Sequence, residues 1–335
     1  MVVIVISHQW SKVENPHATL GRVKKERQAR LFTLLEKEAP DLFIVELYPF
    51  GRKAFRFELD PVLEAIREHR SASCGVVCSV RDILVEKEDQ SRHESRATHI
   101  LNRYFDAVLV HADPNLVKFE ETFFHLNEID IPVVYTGFVA PKPGPDKRAT
   151  IRNQLGMAED EILIVASAGG GSVGTALLES VINAFKQLNI GPAKNLRVYT
   201  GPFIGKDNLN LLKRLSVSEI VIEEFATDFL SYLAAADLSI SMAGYNTSMS
   251  ILATRVAALV WPFSENYEQR LRAERLAEIG ALRVLKDQDL RPECLAGIMA
   301  QTLAKPPRLS ASIDLDGADN TARWIEAWEK GNGKR

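Results

Sequence analysis

Short apolar runs alternate with amphipathic stretches along nearly the whole chain, and this alternation restricts the possible folds more than any other feature. Most runs are rich in Val, Ile and Leu without strict alternation, which is typical of strands buried on both faces of a parallel sheet. The repeated strand–helix unit predicts right-handed crossovers and an α/β fold with doubly wound sheets. The predicted strands are residues 2–7, 41–46, 74–80, 107–111, 133–136, 162–166, 196–199, 219–222, 238–241 and 257–261. The predicted helices include residues 24–38, 60–69, 174–186, 227–235 and 268–276.

A segment rich in proline and glycine, residues 136–145, predicts a boundary between two domains. Its three prolines cannot continue a helix or a central strand. The length of 335 residues also agrees with two domains of about 150 residues each. We predict two Rossmann-like domains, residues 1–138 and 139–318, that face a cleft where ligands bind at the carboxyl ends of the strands. The last helix, in residues 319–335, carries Trp324 and Trp328 and is expected to pack on another element, with a return to the first domain as one option.

Composition excludes several classes of protein. Lys and Arg number 41 against 44 Asp and Glu, so the formal charge of -3 gives no support for a nucleic-acid partner. Three cysteines cannot build a disulfide framework. No apolar run reaches the ~20 residues of a membrane span, and the first residues lack the basic start and the cleavage site of a signal peptide. We therefore expect a cytoplasmic protein.

The strongest local signal is a glycine-rich loop, SAGGGSVG at residues 167–174, between a predicted strand and a predicted helix. Its glycines allow a tight turn, and the N–H groups at the start of the helix favour a phosphate. The loop matches neither the G-x-G-x-x-G fingerprint nor a Walker A loop. A tight strand-to-helix turn without a ligand is the alternative interpretation. The candidate residues are Gly170, Gly171, Ser172 and Gly174.

A second turn of this kind, MAGYNTS at residues 242–248, follows the predicted strand 238–241. Gly244 opens the turn, and Asn246 and Thr247 are predicted to cap the next helix and to donate hydrogen bonds to an anion. An ordinary capped helix is the alternative. Two glycine-containing helix starts at one sheet edge fit a diphosphate better than a single phosphate, and the pair therefore favours a nucleotide.

These motifs resemble those of a known family. Residues 241–247 (SMAGYNT) and 268–276 (EQRLRAERL) are similar to the donor half of the MurG-type glycosyltransferases, and in particular to a bacterial branch of predicted glycosyltransferases. Residues 46–52 (ELYPFGR), 79–84 (SVRDIL) and 135–137 (YTG) fit the same branch. The resemblance extends from about residue 27 to the C-terminus, and it depends on the order of the motifs more than on any one of them.

The resemblance implies a two-domain glycosyltransferase of the second structural type, with an acceptor-side first domain and a second domain that binds a UDP-sugar. It implies an inverting transfer without a metal, in which the sugar nucleotide is a co-substrate and there is no further cofactor. It places Phe225 at the uracil, the turn after residue 241 at the diphosphate, and a polar pair at the sugar hydroxyls. That pair opens an amphipathic helix, so two solvated helix residues are the alternative. The implied donor-binding residues are Gly170, Gly171, Ser172, Gly174, Phe225, Gly244, Asn246, Thr247, Glu268 and Gln269. The implied acceptor-side residues are Glu46, Tyr48 and Arg81.

The chain departs from the family in two places. Where the family has a glutamate on the ribose hydroxyls, the alignment puts Ser250, whose single hydroxyl is expected to weaken ribose binding by about 1–3 kcal/mol. The family also begins with a strand and a Gly-Gly-His-like loop that supplies much of the acceptor site, and nothing similar precedes Val2. We therefore expect a first domain without its first strand, loop and helix, or a recorded start codon downstream of the real one.

An inverting transfer needs a base within hydrogen-bond reach of the acceptor hydroxyl. Three candidates follow predicted strands of the first half, namely Asp82, His8 and Glu46. Asp82 is the first choice because it falls, with Arg81, where the family lines the cleft. A helix-capping or Arg-paired aspartate and a structural histidine are the alternatives.

The acceptor stays open, with a lipid-linked sugar or a polysaccharide as the two classes considered. The predicted helix 24–38 begins with a cluster of basic residues beside an apolar face. Such a helix fits peripheral contact with an anionic membrane, and hence a location at its inner face. A solvated basic face is the alternative.

Two other functions stay open. A nucleotide-sugar-binding protein with lost or weak transfer would explain the missing first loop and the missing ribose carboxylate. A UDP-sugar epimerase uses the same scaffold and needs acid and base carboxylates beside the sugar, for which the donor half offers Glu265 and Glu268. A dehydrogenase is not favoured, because no G-x-G-x-x-G follows any strand of the first half.

Overall fold

The computed structural model describes residues 1–6, 20–68, 74–84, 89–171 and 173–332. The chain divides into two compact units. The first comprises Met1–Phe138 together with Asp316–Arg335, and the second comprises Val139–Leu315. No helix in the described ranges is both long and apolar enough to cross a membrane.

The first unit contains a five-stranded parallel sheet in which the strands follow chain order, β1-β2-β3-β4-β5. Its centre is a wholly buried layer of Leu42, Val77 and Leu109 from three adjacent strands. The strands are β1 (Val3–Ile6), β2 (Leu42–Glu46), β3 (Gly75–Arg81), β4 (Ala107–His111) and β5 (Val133–Tyr135). The helices are α1 (Leu20–Glu38), α2 (Arg56–Glu68) and α3 (Gln90–Tyr104), with α11 (Gly317–Asn332) from the end of the chain.

The second unit contains a six-stranded parallel sheet of order β11-β10-β9-β6-β7-β8. The strands are β6 (Ile162–Ser167), β7 (Lys194–Tyr199), β8 (Ile220–Glu223), β9 (Leu238–Ser241), β10 (Ala258–Val260) and β11 (Arg283–Val284). The helices are α4 (Lys147–Gln154), α5 (Thr175–Gln187), α6 (Lys206–Leu215), α7 (Phe229–Ala235), α8 (Tyr245–Thr254), α9 (Tyr267–Glu278) and α10 (Pro292–Ala304). The predicted α/β class with Rossmann-like sheets is confirmed.

The strand order of the second sheet identifies the place where a ligand is expected. Chain order runs outward from β6 through β7 to β8, and then returns to the other side of β6 with β9. The strands β6 and β9 end at the same position along the sheet, because their last residues, Ser167 and Ser241, are paired. Open α/β sheets bind ligands beyond the carboxyl ends of the strands at such a reversal. The described part of the first sheet has no reversal, since its strands follow chain order.

Local interactions set the starts of three helices and explain small differences from the predicted bounds. The carboxylate of Asp228 accepts the N–H of Ser231, so α7 begins at Phe229 and not at residue 227. Gly174 has a φ of 106°, which cannot belong to a helix, so α5 begins one residue later. The Asn266 side chain accepts the N–H of Gln269 and caps α9.

The last helix, α11, packs on the first sheet. Its Trp324 and Trp328 stack with ring centroids 5.2 Å apart, and both indoles contact the buried layer of that sheet. A Cβ at Gly75, where β3 begins, would lie 2.9 Å from the indole of Trp328, so only glycine leaves room for the ring. The Asn320 amide donates to the backbone carbonyl of Thr136 at 2.7 Å and fixes the first turn of α11 to the end of β5.

Candidate functional site

The loops that follow β6 and β9 lie at the reversal of the second sheet. The loop after β9 leads into α8, which has Gly244 at its N-cap and no side-chain cap. The predicted capping by Asn246 and Thr247 is therefore wrong, because both residues lie inside the first turn of the helix. The N–H groups of a first turn have no partner within the helix, and together with the helix dipole they favour an anion.

The glycine-rich loop after β6 packs backbone against backbone on the loop after β7. The N–H of Phe203 donates to the carbonyl of Gly170 at 3.0 Å. A Cβ at Gly171 would overlap the carbonyl oxygen of Thr200, and a Cβ at Gly201 would overlap that of Gly169. Both Gly171 and Gly201 have positive φ, 85° and 84°. The two loops therefore require glycine for their own packing, whether or not a ligand is bound.

Other glycines face open space instead. A Cβ at Gly169 or Gly244 would meet no atom within 4 Å. Glycine at these positions leaves open space beside the end of β6 and at the start of α8. Some glycines of the two motifs are thus required for packing, as Gly171 is, whereas Gly169 and Gly244 lie beside open space that can hold a ligand.

A cavity of about 190 Å³ opens at the carboxyl ends of β6, β7 and β8. It is bounded on a further side by the first turn of α8, through Thr247. Its wall contains the exposed ring of Phe225, which is 70% accessible. The cavity is lined by Ser167, Gly169, Tyr199, Gly201, Pro202, Glu224, Phe225, Ala226, Phe229 and Thr247. Its place at the strand reversal makes it the candidate ligand site of the second unit.

An aromatic cluster forms one wall of this cavity. The ring of Tyr199 lies edge-on to Phe229 and to Tyr232, with centroids 5.6 Å apart in each pair. Burial, together with the neighbouring Tyr232 and Glu223, raises the pKa of Tyr199, so the phenol stays protonated. The wall therefore presents apolar ring surface, which suits a planar base or the face of a sugar.

A buried arginine supports the turn before α8. Arg272 of α9 is wholly buried, and its guanidinium donates to Glu268 at 2.6 Å and to the carbonyl of Ala243 at 3.3 Å. The same guanidinium lies 5.3 Å from the ring centre of Tyr245. Arg272 thus connects α9 to the residues on both sides of Gly244. Sequence reasoning missed this role, because an arginine in the middle of an amphipathic helix is usually solvated.

The structure gives the predicted sugar-binding pair other partners. Glu268 is the counterion of Arg272. The side-chain oxygen of Gln269 accepts the N–H of Phe263 at 3.3 Å. Ser250, in the place of the family's ribose glutamate, donates its hydroxyl to the carbonyl of Asn246 at 2.9 Å. None of the three lines the cavity.

The predicted donor residues are therefore only partly brought together. Phe225 and Thr247 line the cavity, while Gly244 and Asn246 belong to the helix start beside it. Ser172 lies outside the described residues. Within the described ranges no three His, Cys, Asp or Glu side chains are placed to hold a metal ion. The predicted residues that do not line the cavity are Gly170, Gly171, Gly174, Gly244, Asn246, Glu268 and Gln269.

Charged side chains gather at the carboxyl end of the first sheet. Glu46, at the end of β2, lies 3.6 Å from Arg52 and 3.6 Å from Arg81, which ends β3. Glu46 is partly exposed and Arg81 is half exposed. The two predicted acceptor-side residues Glu46 and Arg81 therefore form an ion pair that a ligand can reach.

Two other residues predicted for this edge are buried. Tyr48 is wholly buried and donates its hydroxyl to Asp60, and burial raises its pKa, so it is a core residue and not a ligand contact. Asp82, the first choice for the base, has no exposed surface, and a base must contact the hydroxyl that it deprotonates. The second candidate, His8, lies outside the described residues.

A histidine that the sequence reasoning missed lies at the same edge. His111, the last residue of β4, is hydrogen-bonded at both ring nitrogens. Nε2 lies 2.7 Å from the hydroxyl of Ser79, and Nδ1 lies 2.8 Å from that of Thr136. Burial and the charge of Arg81 lower the pKa of His111 to about 4, against the opposing effect of Glu46. The imidazole is therefore neutral at neutral pH.

This shift predicts a pH-dependent stability. His111 has a pKa near 6.5 when unfolded and about 4 when folded, so the unfolded state binds more protons between these values. We expect the contribution of neutral His111 to the free energy of unfolding to be complete above pH 6.5 and to be lost as the pH falls to about 4. The loss is roughly 3 kcal/mol at most. Urea unfolding at pH 7 and pH 5 measures the loss. A His111→Gln variant should lose distinctly less stability over this interval, and an equal loss in both proteins would contradict the prediction.

The cavity lies in a part of the chain that matches a known domain family. Residues 165–318 match the model of the glycosyltransferase family 28 C-terminal domain. The match runs from the end of β6 past α10, and so includes the glycine-rich loop, the cavity and α8. The resemblance to MurG-like glycosyltransferases is confirmed for this part of the chain.

Among curated proteins, the chain is similar to the UDP-N-acetylglucosamine--N-acetylmuramyl-(pentapeptide) pyrophosphoryl-undecaprenol N-acetylglucosamine transferase of Carboxydothermus hydrogenoformans. The two are 26% identical over 48% of this chain and 44% of the relative. The chain thus spans less than half the length of this relative.

Two solved structures share the fold. The MurG of Acinetobacter baumannii is similar with a TM-score of 0.52 and 19% identity, over 84% of this chain and 70% of that one. The UDP-GlcNAc 2-epimerase of Methanocaldococcus jannaschii is similar with a TM-score of 0.60 and 14% identity, over 93% of this chain and 83% of that one. At such identities the likeness concerns the fold alone.

Proposed function

We propose that this protein is a glycosyltransferase that takes a sugar from a UDP-sugar bound to its second unit. One observation carries the proposal: the cavity at the strand reversal lies inside the segment that matches the glycosyltransferase family 28 C-terminal domain. The name of the Carboxydothermus relative, which includes UDP-N-acetylglucosamine as the sugar source, supports UDP as the nucleotide.

The donor is proposed to bind with its diphosphate at the start of α8. Open space surrounds the Cβ position of Gly244 at the start of α8, and Thr247 of the first turn lines the cavity. The helix dipole and the N–H groups of this turn stabilise the charge that develops on the leaving diphosphate, so the transfer proceeds without a metal. The uracil lies beside Phe225, where the cavity wall is apolar.

The sugar and ribose contacts differ from those that the resemblance implies. The hydroxyl of Ser250 donates within its own helix, and Glu268 neutralises Arg272. We therefore propose that ribose and sugar hydroxyls are bound by other groups on the cavity, with Glu224 as the carboxylate that lines it.

We propose an inverting transfer to an acceptor hydroxyl, with the acceptor bound by the first unit. The relative's name, which contains pyrophosphoryl-undecaprenol, favours a lipid-linked acceptor over a polysaccharide. Such an acceptor would place the protein in the cytoplasm at the inner face of the membrane. The basic start of α1, with Arg22, Lys24 and Lys25, would give peripheral contact with anionic lipid.

A UDP-sugar epimerase is the second candidate, and the likeness to the Methanocaldococcus epimerase favours it. An epimerase needs an acid and a base on either side of the sugar. Glu268, one of the two carboxylates considered for that purpose, is held by Arg272. This pairing favours the transferase.

Product analysis distinguishes the functions. The purified protein is incubated with UDP-sugars, with and without lipid-linked and polysaccharide acceptors, and the products are followed by NMR. A transferase releases UDP and inverts the anomeric centre. An epimerase returns a UDP-sugar with altered sugar stereochemistry, and a binding protein leaves the bound donor unchanged. Either of the last two outcomes would contradict the proposed function.

A further inference from the structure

We propose that Ser79 and His111 form the proton relay that deprotonates the acceptor hydroxyl, with Thr136 as the residue that positions the imidazole. This inference rests on the proposed transferase function and adds a catalytic site on the first unit. It concerns three residues from three successive strand ends, none of which belongs to a motif of the donor domain.

The three side chains are placed by the parallel sheet. Ser79 lies two residues before the end of β3, His111 ends β4, and Thr136 follows β5 directly. Their side chains make a continuous chain of hydrogen bonds, from Ser79 to Nε2 of His111 at 2.7 Å and from Nδ1 to Thr136 at 2.8 Å. Thr136 is buried, whereas Ser79 and His111 are partly exposed. The Ser79 end of this hydrogen-bonded series therefore borders solvent, while the Thr136 end lies in the protein interior.

The proposed relay requires one tautomer of His111. The Thr136 hydroxyl has one proton, and the backbone carbonyls of Val110 and Gly137, each at 3.4 Å, are acceptors within reach of it. With that proton on a carbonyl, the Thr136 oxygen accepts from Nδ1–H of His111, and Nε2 is left to accept the Ser79 hydroxyl proton. Two further hydrogen bonds fix the backbone of Thr136. Its N–H donates to the carbonyl of Val110, and its carbonyl accepts from the Asn320 amide. This is the arrangement of a base with an oriented second nitrogen.

The proposed transfer forms one C–O bond, breaks another and moves one proton to the protein. The acceptor hydroxyl attacks the anomeric carbon of the sugar and forms the new C–O bond. The bond between that carbon and the diphosphate oxygen breaks, and its electron pair leaves with UDP. The acceptor proton moves to the oxygen of Ser79 while the Ser79 proton moves to Nε2 of His111, so the proton ends on the imidazole. A neutral imidazole in the ground state is the required starting form.

The groups around the imidazole favour His111 over Asp82 and Glu46 as the base. Asp82 has no exposed surface, and Glu46 lies between Arg52 and Arg81. The same Glu46 carboxylate acts on His111 electrostatically, and it opposes the effect of Arg81. Glu46 thus stabilises the imidazolium that forms when the proton arrives. Ser79 and His111 are partly exposed and are joined by a hydrogen bond of 2.7 Å, so a proton can pass between them from a ligand.

The test compares UDP release with UDP binding in the full chain. UDP release from UDP-N-acetylglucosamine and other UDP-sugars is measured with water and with the acceptor panel, and UDP affinity is measured by calorimetry. We expect His111→Gln and Ser79→Ala to slow release at least 10-fold while the Kd for UDP changes less than 2-fold. The matched control is His125→Gln, because His125 lies in the same unit, precedes a short 3-10 turn and is bonded to Glu128 at 2.8 Å.

A spectroscopic signature tests the positioning role of Thr136. In ¹⁵N-histidine-labelled protein the His111 nitrogens are expected to show the Nδ1–H tautomer, and Thr136→Val is expected to shift that equilibrium and to lower the release rate without changing UDP affinity. Release at the wild-type rate by both His111→Gln and Ser79→Ala would overturn the relay alone. A wild-type chain that releases no UDP from any donor would overturn the transferase function, and the relay with it.

Discussion

A Gly201→Ala variant is expected to lose about 3 kcal/mol of its free energy of unfolding, because the added methyl group overlaps main-chain atoms. Gly201 has a φ of 84°, and its Cβ would overlap the carbonyl oxygen and the backbone of the facing glycine-rich loop. Those are main-chain atoms, so they cannot rotate away as a side chain does. Urea unfolding of the full chain measures the loss.

The matched control for this prediction is Gly205→Ala, four residues along the same loop. Gly205 has a φ of -65°, and a Cβ there would meet no atom within 4 Å. We expect a change below about 1 kcal/mol, from the N-cap preference alone. Equal stability of the Gly201 and Gly205 variants would show that the two loops do not pack as described.

An Arg272→Met variant is expected to lose about 3 kcal/mol of stability and to bind UDP at least 10-fold more weakly. Methionine fills a similar volume, but it removes the partner of Glu268 and the donor to Ala243. The turn before α8 then loses the group that fixes it, and the N–H groups at the start of the helix lose their common direction. The free energy of unfolding and the Kd for UDP are measured on the same protein.

Uridine separates this role from general destabilisation. Uridine shares the base and ribose of UDP but has no diphosphate, so its affinity should be the same in wild type and in Arg272→Met. Arg270→Met is the matched control on the same helix, because Arg270 is exposed and its guanidinium lies 5.6 Å from the ring centre of Tyr267. An equal loss of UDP and uridine affinity would contradict a role at the diphosphate turn.

Much of the fold could be predicted from the sequence, because short apolar runs that alternate with amphipathic helices are typical of a parallel sheet covered by helices on both faces. The strand β6 and its glycine-rich loop are an example: the run ILIVAS is too short for a helix and is followed, after Ala168, by three glycines. Strand order could not be predicted, since it depends on which neighbours pair. That order determines that the ends of β6 and β9 meet and that the described strands of the first sheet follow one another without such a reversal.

The candidate site was harder to predict, because a motif does not distinguish residues that pack from residues that face a ligand. Gly171 and Gly169 are neighbours in one run of glycines, yet the first packs on Thr200 and the second faces open space. Glu268 has the sequence position of a sugar contact, but its partner is Arg272, four residues along the helix. His111 belongs to no motif. Its two hydroxyl partners come from other strands, so only the tertiary structure reveals them.

Calorimetric titration with UDP tests the central claim, that the second unit binds a nucleotide at the start of α8. We expect micromolar affinity for the wild-type chain, about -8 kcal/mol. Thr247→Val should bind about 10-fold more weakly, because it loses a hydroxyl on the cavity, at a typical cost near 1.4 kcal/mol. Thr254→Val, at the other end of the same helix, should bind as the wild type does. A wild-type chain that binds no UDP, or equal affinities for all three proteins, would contradict the account.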